Sequence, residues 1–414
     1  MALIVQKYGG TSVGSIERIR DVAGKVKTLA QAGNQVVVVL SAMAGETDRL
    51  IKLAQEVHSD PDERELDVLL ATGEQQSVAL FSMAAHAIGL DAHSLLGFQA
   101  GLLTNHRYGK ARIELVDALR VHELLDEGKV VVVAGFQGVD EDTGDLTTLG
   151  RGGSDTTAVA MAAALKADVC EIYTDVDGVY TTDPNIVPEA RKLSHISYEE
   201  MLEMASLGAK VLDIRSVEFA AKFGVRIHVR STFIDREGTM VVPEEQIKER
   251  LIITGVAYNK NEARITIKGV PDQPGVANKV FTPISDAGIV VDVIIQNTSV
   301  DGTTDLTFTV PKTDYKKAMG LLSTVSKEIG AKEVLGDPNI AKVSIIGIGM
   351  RNHAGVASKM FGALAAESIN IQTINTSEIK ISCVISEKYT ELAVRALHKA
   401  FGLDKGLEPE AEDI

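Results

Sequence analysis

Three short stretches set glycines beside charged side chains. The first is Lys7-Tyr8-Gly9-Gly10-Thr11-Ser12, after an apolar run that starts at Leu3. Adjacent glycines let the backbone come close to a ligand, and the N–H groups that open a helix favour an anion. Lys7 adds positive charge at a strand end, where open α/β sheets bind ligands. A plain tight turn with a solvated lysine would use the same residues. The second stretch is Leu149-Gly150-Arg151-Gly152-Gly153-Ser154-Asp155. Arginine can grip a carboxylate with two parallel hydrogen bonds, and Asp155 could orient a nearby lysine. An N-capped helix after a flexible turn accounts for Ser154 and Asp155, but not for three glycines with Arg151. The third is Tyr173-Thr174-Asp175-Val176-Asp177-Gly178-Val179-Tyr180, running on to Asp183-Pro184-Asn185. A strand end followed by such a loop could line a nucleotide pocket. Taken alone it also reads as an acidic surface loop.

Single residues extend the pattern. Ser41 follows a buried strand, Thr47 opens a helix, Glu74 follows Gly73 inside a long helix, and Lys210 follows Gly208-Ala209. Each has a bland alternative, as a cap or as helix surface. Nearly all fall at expected strand C-termini or helix N-termini, the ligand-binding edge of an α/β sheet.

The elements that must position them alternate. Residues 3–7, 36–40, 130–134, 169–174 and 227–229 read as strands, and 36–40 and 130–134 as strands buried on both faces. Apolar residues at helical spacing from Ile16 to Leu29, the stretch 63–88 with Gly73 as a break or close contact, and the Ala-rich 156–165 read as helices. Thr143-Gly144 marks a hairpin turn, and Ser197 with Glu200 a capping box. Strand–helix alternation predicts a mainly parallel sheet covered by helices over the first 230 residues or so. Charged residues around 235–250 predict a linker. Beyond it lies a repeat: Ile265, Gly269, Gly275, Val276, Ala277, Lys279, Phe281, Ile289 and Ile294 recur eighty positions on as Ile345, Gly349, Gly355, Val356, Ala357, Lys359, Phe361, Ile369 and Ile374. Each copy reads as a small βαββ module.

Composition bounds the rest. The 414 residues carry 42 Lys and Arg against 57 Asp and Glu, a formal charge of -15, with 4% aromatics and no Trp. That argues against a phosphate-backbone binder and against stacking platforms for single-stranded nucleic acid. Cys170 and Cys383 lie far apart in apolar runs, as buried thiols of a reducing compartment would. No apolar run is long enough to span a membrane, and the N-terminus lacks a secretory pattern, so a soluble cytoplasmic protein is expected. P-loop, dinucleotide-binding, zinc and nucleophile-elbow motifs are absent, and the nine histidines are scattered.

On Lys7 to Ser12, Gly150 to Asp155 and Tyr173 to Pro184, the chain resembles the aspartate kinases of the amino-acid kinase family, over essentially its whole length. The resemblance implies a three-layer α/β/α kinase domain (1–235), a linker (236–260) and two ferredoxin-like, ACT-type regulatory modules (261–335 and 336–407). It implies transfer of the ATP γ-phosphoryl group to the side-chain carboxylate of L-aspartate, with Mg2+ carried mainly by the nucleotide and no dedicated protein metal ligand. Lys7 and Lys210 would stabilise the transferring group, and Asp155 would hold them. Tyr8, Gly9, Gly10, Thr174, Asp175, Tyr180, Asp183 and Pro184 would line the ATP site with the two lysines. Ser41, Thr47, Glu74, Arg151, Gly152, Gly153 and Ser154 would bind aspartate, Arg151 at its α-carboxylate and Glu74 at its ammonium group.

Lysine and threonine would act as feedback inhibitors. In the first module they would meet Asp272, Gln273, Pro274, Gly275, Val276, Ala277, Asp292 and Gln296; in the second Val356, Ala357, Asn370, Ile371, Ser377 and Glu378. Such modules commonly pair between chains, so a homo-oligomer is expected, and Met240 permits a second start giving a separate regulatory subunit. Another amino-acid kinase, or a non-catalytic amino-acid sensor with the same fold, are the competing readings.

Overall fold

Continuous β-branched runs build the middle of the first sheet. β2 (Gln35–Leu40) and β6 (Val130–Ala134) are buried almost throughout, as strands covered on both faces must be. This computed structural model describes residues 1–208, 211–247, 251–298 and 302–405. They form two compact units, Met1–Tyr180 with Lys192–Glu249, and Thr181–Arg191 with Arg250–Ile414.

In the first unit the chain runs β1 (Leu3–Tyr8), α1 (Ile16–Gln31), β2, α2 (Glu46–Val57), α3 (Glu63–Ala87), β3 (Ala92–Leu95), β4 (Leu102–Thr104), β5 (Ile113–Val116), α4 (Leu119–Asp126), β6, β7 (Gln137–Asp140), β8 (Leu146–Thr148), α5 (Gly153–Leu165), β9 (Val169–Thr174), β10 (His195–Ser197), α6 (Tyr198–Ser206), α7 (Ile214–Phe223), β11 (Ile227–Ser231) and β12 (Thr239–Val242). Eight strands form one sheet in the order β10-β12-β11-β9-β1-β2-β6-β3. Every neighbouring pair is parallel except β11 with β12. The expected series closed at 227–229; β12 extends it, and β10 joins at the edge.

Alternation along β1 sorts its side chains. Tyr8 joins a core with Val36, Val38, Leu40, Ile19 and Val26 of α1, and Phe81 of α3. Lys7 points to the other face, where α5 packs over β1 and β9. α5 is rich in alanine and buried nearly all round, as a helix apolar on every side should be. Its cap is Gly152, in a left-handed conformation, rather than Ser154 or Asp155. Those two sit inside the first turn, where the Asp155 carboxylate pairs with Lys7 instead of capping.

The helix expected over 63–88 is unbroken at Gly73. A Cβ there would lie 2.8 Å from the Ala42 Cβ, so the glycine marks a close approach. A second, four-stranded sheet, β5-β4-β7-β8, includes the predicted hairpin, with Gly144 at φ 73°. The Ser197–Glu200 capping box is present.

The second unit contains β13 (Gly255–Pro271), α8 (Val276–Asp286), β14 (Ile294–Thr298), β15 (Thr303–Pro311), α9 (Tyr315–Glu328), β16 (Glu333–Ile346), α10 (Val356–Ala366), β17 (Thr373–Thr376), β18 (Lys380–Ser386) and α11 (Thr390–Ala400). Each repeat is therefore βαββα, one helix longer than expected. The two share one antiparallel sheet, β14-β15-β13-β16-β18-β17, joined where β13 pairs with β16. Each repeat has its own core, one around Ile265, Val280, Phe308 and Leu322, the other around Val343, Met360, Cys383 and Leu397. Ile186 and Val187 belong to the second of these cores. The stretch 236–260 holds β12 and the first residues of β13.

Candidate active site

The carboxyl ends of β1, β2 and β9 bring most of the candidate residues to one edge. At the end of β1, Lys7 Nζ lies 2.6 Å from Asp155 Oδ1, with side chains only 11% and 12% exposed. A lysine held this way gives up much of its rotamer freedom before any ligand arrives. Gly9 donates its N–H to the Tyr173 carbonyl (3.2 Å), and the Gly10 carbonyl accepts from Ala44 N–H (3.1 Å). A Cβ on Gly10 would come within 2.7 Å of the Ala42 carbonyl oxygen, which explains the second glycine.

Beside this turn Glu74 is 3% exposed. Its Oε1 accepts the Ala42 N–H at 2.9 Å, while Oε2 is buried and takes no hydrogen bond among the described residues. Burial pushes its carboxyl up to about 7, opposed by the Ala42 N–H. A buried carboxylate oxygen with an open lone pair is a ready partner for a cation. Ser41 donates its N–H to the Tyr8 carbonyl, and Thr47 lies in the first turn of α2 behind Gly45, with no side-chain cap.

The Arg151 turn is shaped by its glycines. Gly150 and Gly152 have φ of 74° and 69°, which side chains rarely adopt, and a Cβ on Gly152 would run into the Asp213 side chain. Arg151 is exposed, and its guanidinium has no partner among the described residues. Its carbonyl accepts Arg215 Nη2 at 2.6 Å. Ser154 packs against Gly135, where a Cβ would lie 2.7 Å from the Ser154 hydroxyl.

At the end of β9 the Thr174 hydroxyl donates to Asp175 (3.0 Å), and Tyr180 OH donates to Asp177 (2.7 Å). The Tyr8 ring is fully buried and stacks on Tyr173 at 4.6 Å, and its OH donates to Gln6. Tyr8 can therefore offer a ligand only its backbone. Asp183 and Pro184 fall in the second unit, where Asp183 accepts Tyr258 OH at 3.0 Å. Lys210 lies outside the described residues.

Some supporting residues carry no motif. Beneath the turn, Glu171 gathers Gln6 (2.7 Å), Tyr173 (3.2 Å) and Arg230 (3.2 Å), with His228 nearby. Burial would raise its carboxyl, but His228, Gln6 and Arg230 hold it down at about 2. Asp213, the cap of α7, has a carboxyl raised by burial and by the charge of Asp155. Their common signal is a polar residue at a strand position that should be apolar, or a cap beside a glycine turn. Among the described residues no group of three or more His, Cys, Asp or Glu could hold a metal ion.

In the second unit, α8 and α10 begin behind left-handed Gly275 (φ 90°) and Gly355 (φ 88°), and neither has a side-chain cap. A cavity of about 200 Å³ in the second repeat is lined by Val356, Ala357, Ser377 and Glu378, and also by Met350, His353, Thr376 and Ile381. Asn370 and Ile371 do not line it. In the first repeat, Asp292 pairs with Lys342, which also meets Glu262 at 2.7 Å. Gln296 sits on β14 opposite Leu306. Asp272 donates its N–H to the Gly302 carbonyl, and the Gln273 carbonyl accepts from Val276 N–H. Pro274 and Ala277 flank the Gly275–Val276 helix start.

Residues 2–231 match the amino acid kinase family, and 265–325 and 343–401 match the ACT domain. An aspartate kinase of Pseudomonas putida is 61% identical over 98% of both chains. The fold is similar to E. coli aspartokinase III solved in complex with aspartate and ADP in an R-state (TM-score 0.81, 27% identity, 96% of this chain and 99% of that one). It is also similar to the same enzyme in complex with lysine and aspartate in a T-state (TM-score 0.76, 27% identity, the same coverage). With a kinase-family match over more than half its length and that near full-length identity, the chain belongs to the aspartate kinases of the amino acid kinase family.

Proposed function

We propose that the chain transfers the γ-phosphoryl group of MgATP to the side-chain carboxylate of L-aspartate, giving 4-phospho-L-aspartate and MgADP. The observation that carries this reading is the Lys7–Asp155 pair at the joint end of β1 and α5. It is a fixed cation at the anion-binding edge of a parallel sheet. The E. coli relative was solved with aspartate and ADP, which supports the same substrates here.

Aspartate offers an α-carboxylate to Arg151 and an α-ammonium to Glu74. Ser41, Thr47 and the backbone at Gly152, Gly153 and Ser154 complete its contacts. Its side-chain carboxylate, with a reference pKa near 4, is already ionised, so no general base is needed. One of its oxygens attacks the γ-phosphorus, and the bond from that phosphorus to the β–γ bridging oxygen breaks. The chain's contribution is alignment and positive charge where negative charge shifts. Lys7 supplies that charge with Lys210, Asp155 orients Lys7, and Gly9 and Gly10 cradle phosphates. Thr174, Asp175 and Tyr180 line the nucleotide side. Magnesium belongs to the nucleotide substrate.

Glu74 must be ionised to hold the ammonium group. With its carboxyl near 7, affinity for aspartate rises with pH through neutrality. Apparent KM for aspartate should be about tenfold higher at pH 6 than at pH 8. Steady-state titrations across that range test this, and Glu74→Gln should abolish the dependence.

The repeats sense amino acids in this reading. The uncapped starts of α8 and α10 leave N–H groups for a ligand carboxylate. Asp272 to Ala277, Asp292 and Gln296 form one effector site. Val356, Ala357, Ser377 and Glu378 form the other at the second-repeat cavity, with Asn370 and Ile371 outside its lining. Lysine and threonine are the effectors, in keeping with the lysine complex of the relative. The outer edges of β14 and β17 carry Ile294 (53% exposed) and Ile374 (43%), which suits pairing of repeats between chains in a homo-oligomer. Translation from Met240 would give a separate chain with both repeats. The buried free thiols suit a cytoplasmic enzyme serving lysine, threonine, methionine and diaminopimelate synthesis. The test is aspartate-dependent ADP formation with lysine, threonine, or both. Turnover should require aspartate and fall with effector. Turnover blind to every effector would remove the sensing role, and ADP formation without aspartate would remove the acceptor.

A further inference from the structure

Asp67 lies on α3, seven residues before Glu74 and so on the same side of the helix. It is 1% exposed, and no cation pairs with it among the described residues. A buried carboxylate without a cation is costly, and an apolar residue would pack α3 more cheaply. Its oxygens are instead occupied by three donors. Gly109 N–H reaches both of them (3.0 and 2.9 Å), Thr148 N–H reaches Oδ2 (2.8 Å), and the Thr148 hydroxyl reaches Oδ1 (2.6 Å).

Both donor residues govern the Arg151 turn. Thr148 is the last residue of β8, three before Arg151. The Gly109 carbonyl lies against Gly150, where a Cβ would approach it to 2.8 Å. At the other end of the turn, Arg215 holds the Arg151 carbonyl. Asp67 is thus the tie between this turn and α3, the helix that carries Glu74.

We propose that Asp67 is a positioning residue that fixes Arg151 relative to Glu74, and so sets selectivity for an α-amino acid acceptor. The inference rests on the aspartate site proposed above. The two groups must meet an ammonium and a carboxylate on one carbon, so a small shift of the turn weakens both contacts together. MgATP, held by other residues, is untouched.

The test is steady-state kinetics of the full-length chain. Asp67→Asn should raise KM for aspartate about tenfold and leave KM for MgATP unchanged. In an Arg151→Ala background the same change should add less than about twofold, because the path through Arg151 is already gone. An equal rise in both KM values, or an undiminished effect in that background, would overturn the proposal. If thermal melting shows Asp67→Asn unfolded, Thr148→Val removes one bond only and should raise KM for aspartate about threefold with the same split. No change in Thr148→Val would then overturn it. Failure of the underlying site reads differently: the unmodified chain would form no ADP in response to aspartate, or Arg151→Ala would leave KM for aspartate unaltered.

Discussion

Replacing Lys7 with alanine should lower kcat about a thousandfold while KM for aspartate changes little. Lys7 sits 2.6 Å from Asp155 at the end of β1, and in the proposed site its charge would face the transferring group. Removing one preorganised charge from such a position costs about a hundred- to a thousandfold. In the proposed site aspartate is held by Arg151 and Glu74, so ground-state binding should survive and the loss should appear in kcat. Lys7→Arg should rescue poorly, because a planar guanidinium cannot replace a compact ammonium in a buried pair. Without Lys7, Asp155 would lose its 2.6 Å ion pair while keeping Asp213 as a like-charged neighbour, so thermal melting should accompany the kinetics. A loss of less than about tenfold in kcat, with the fold intact, would remove Lys7 from the transfer step.

Replacing Arg151 with alanine should raise KM for aspartate about a hundredfold. In the proposed site, two charge-assisted hydrogen bonds to the α-carboxylate would contribute about 3 kcal/mol together. Arg151 is exposed and free of partners among the described residues, so its loss should leave stability nearly unchanged. The glycines around it impose the opposite pattern. Gly152→Ala would force a left-handed residue into the Asp213 side chain and disturb the turn itself. An acceptor lacking the α-carboxylate should be used equally poorly by the unmodified chain and by Arg151→Ala. Kinetics with aspartate and with such an analogue separate carboxylate binding from general damage.

Much of this was legible because the informative residues are local. The strand–glycine–helix turns at Lys7 and at Arg151 are contiguous in the chain, and the repeat shows itself by simple recurrence. Glu74 was readable for a related reason: Gly73 announced a close approach, and that approach brings Glu74 to the Ala42 N–H. What escaped depends on distant partners. Ile186 and Val187 look like any loop residues after Asp183-Pro184, but their packing partners are Leu397 and its neighbours, some two hundred positions on. Asp67 looks like helix surface until Gly109 and Thr148 fold over it. Glu171 and Gln6 interrupt apolar strands for no local reason, and only the neighbouring strands, with Arg230 and Tyr173, supply one. The cap of α5 falls on Gly152 and not on Ser154 or Asp155, because Asp155 has a stronger partner in Lys7 than any backbone N–H.

The acceptor group is the most direct point to test. An acyl phosphate reacts with hydroxylamine to give a hydroxamate, whereas phosphate esters and free phosphate do not. The chain should be incubated with MgATP, L-aspartate and hydroxylamine, and the products separated. The side-chain hydroxamate of aspartate should form in an amount equal to the ADP, with neither product above background when aspartate is omitted. ADP formed without hydroxamate, or formed equally well without aspartate, would contradict it.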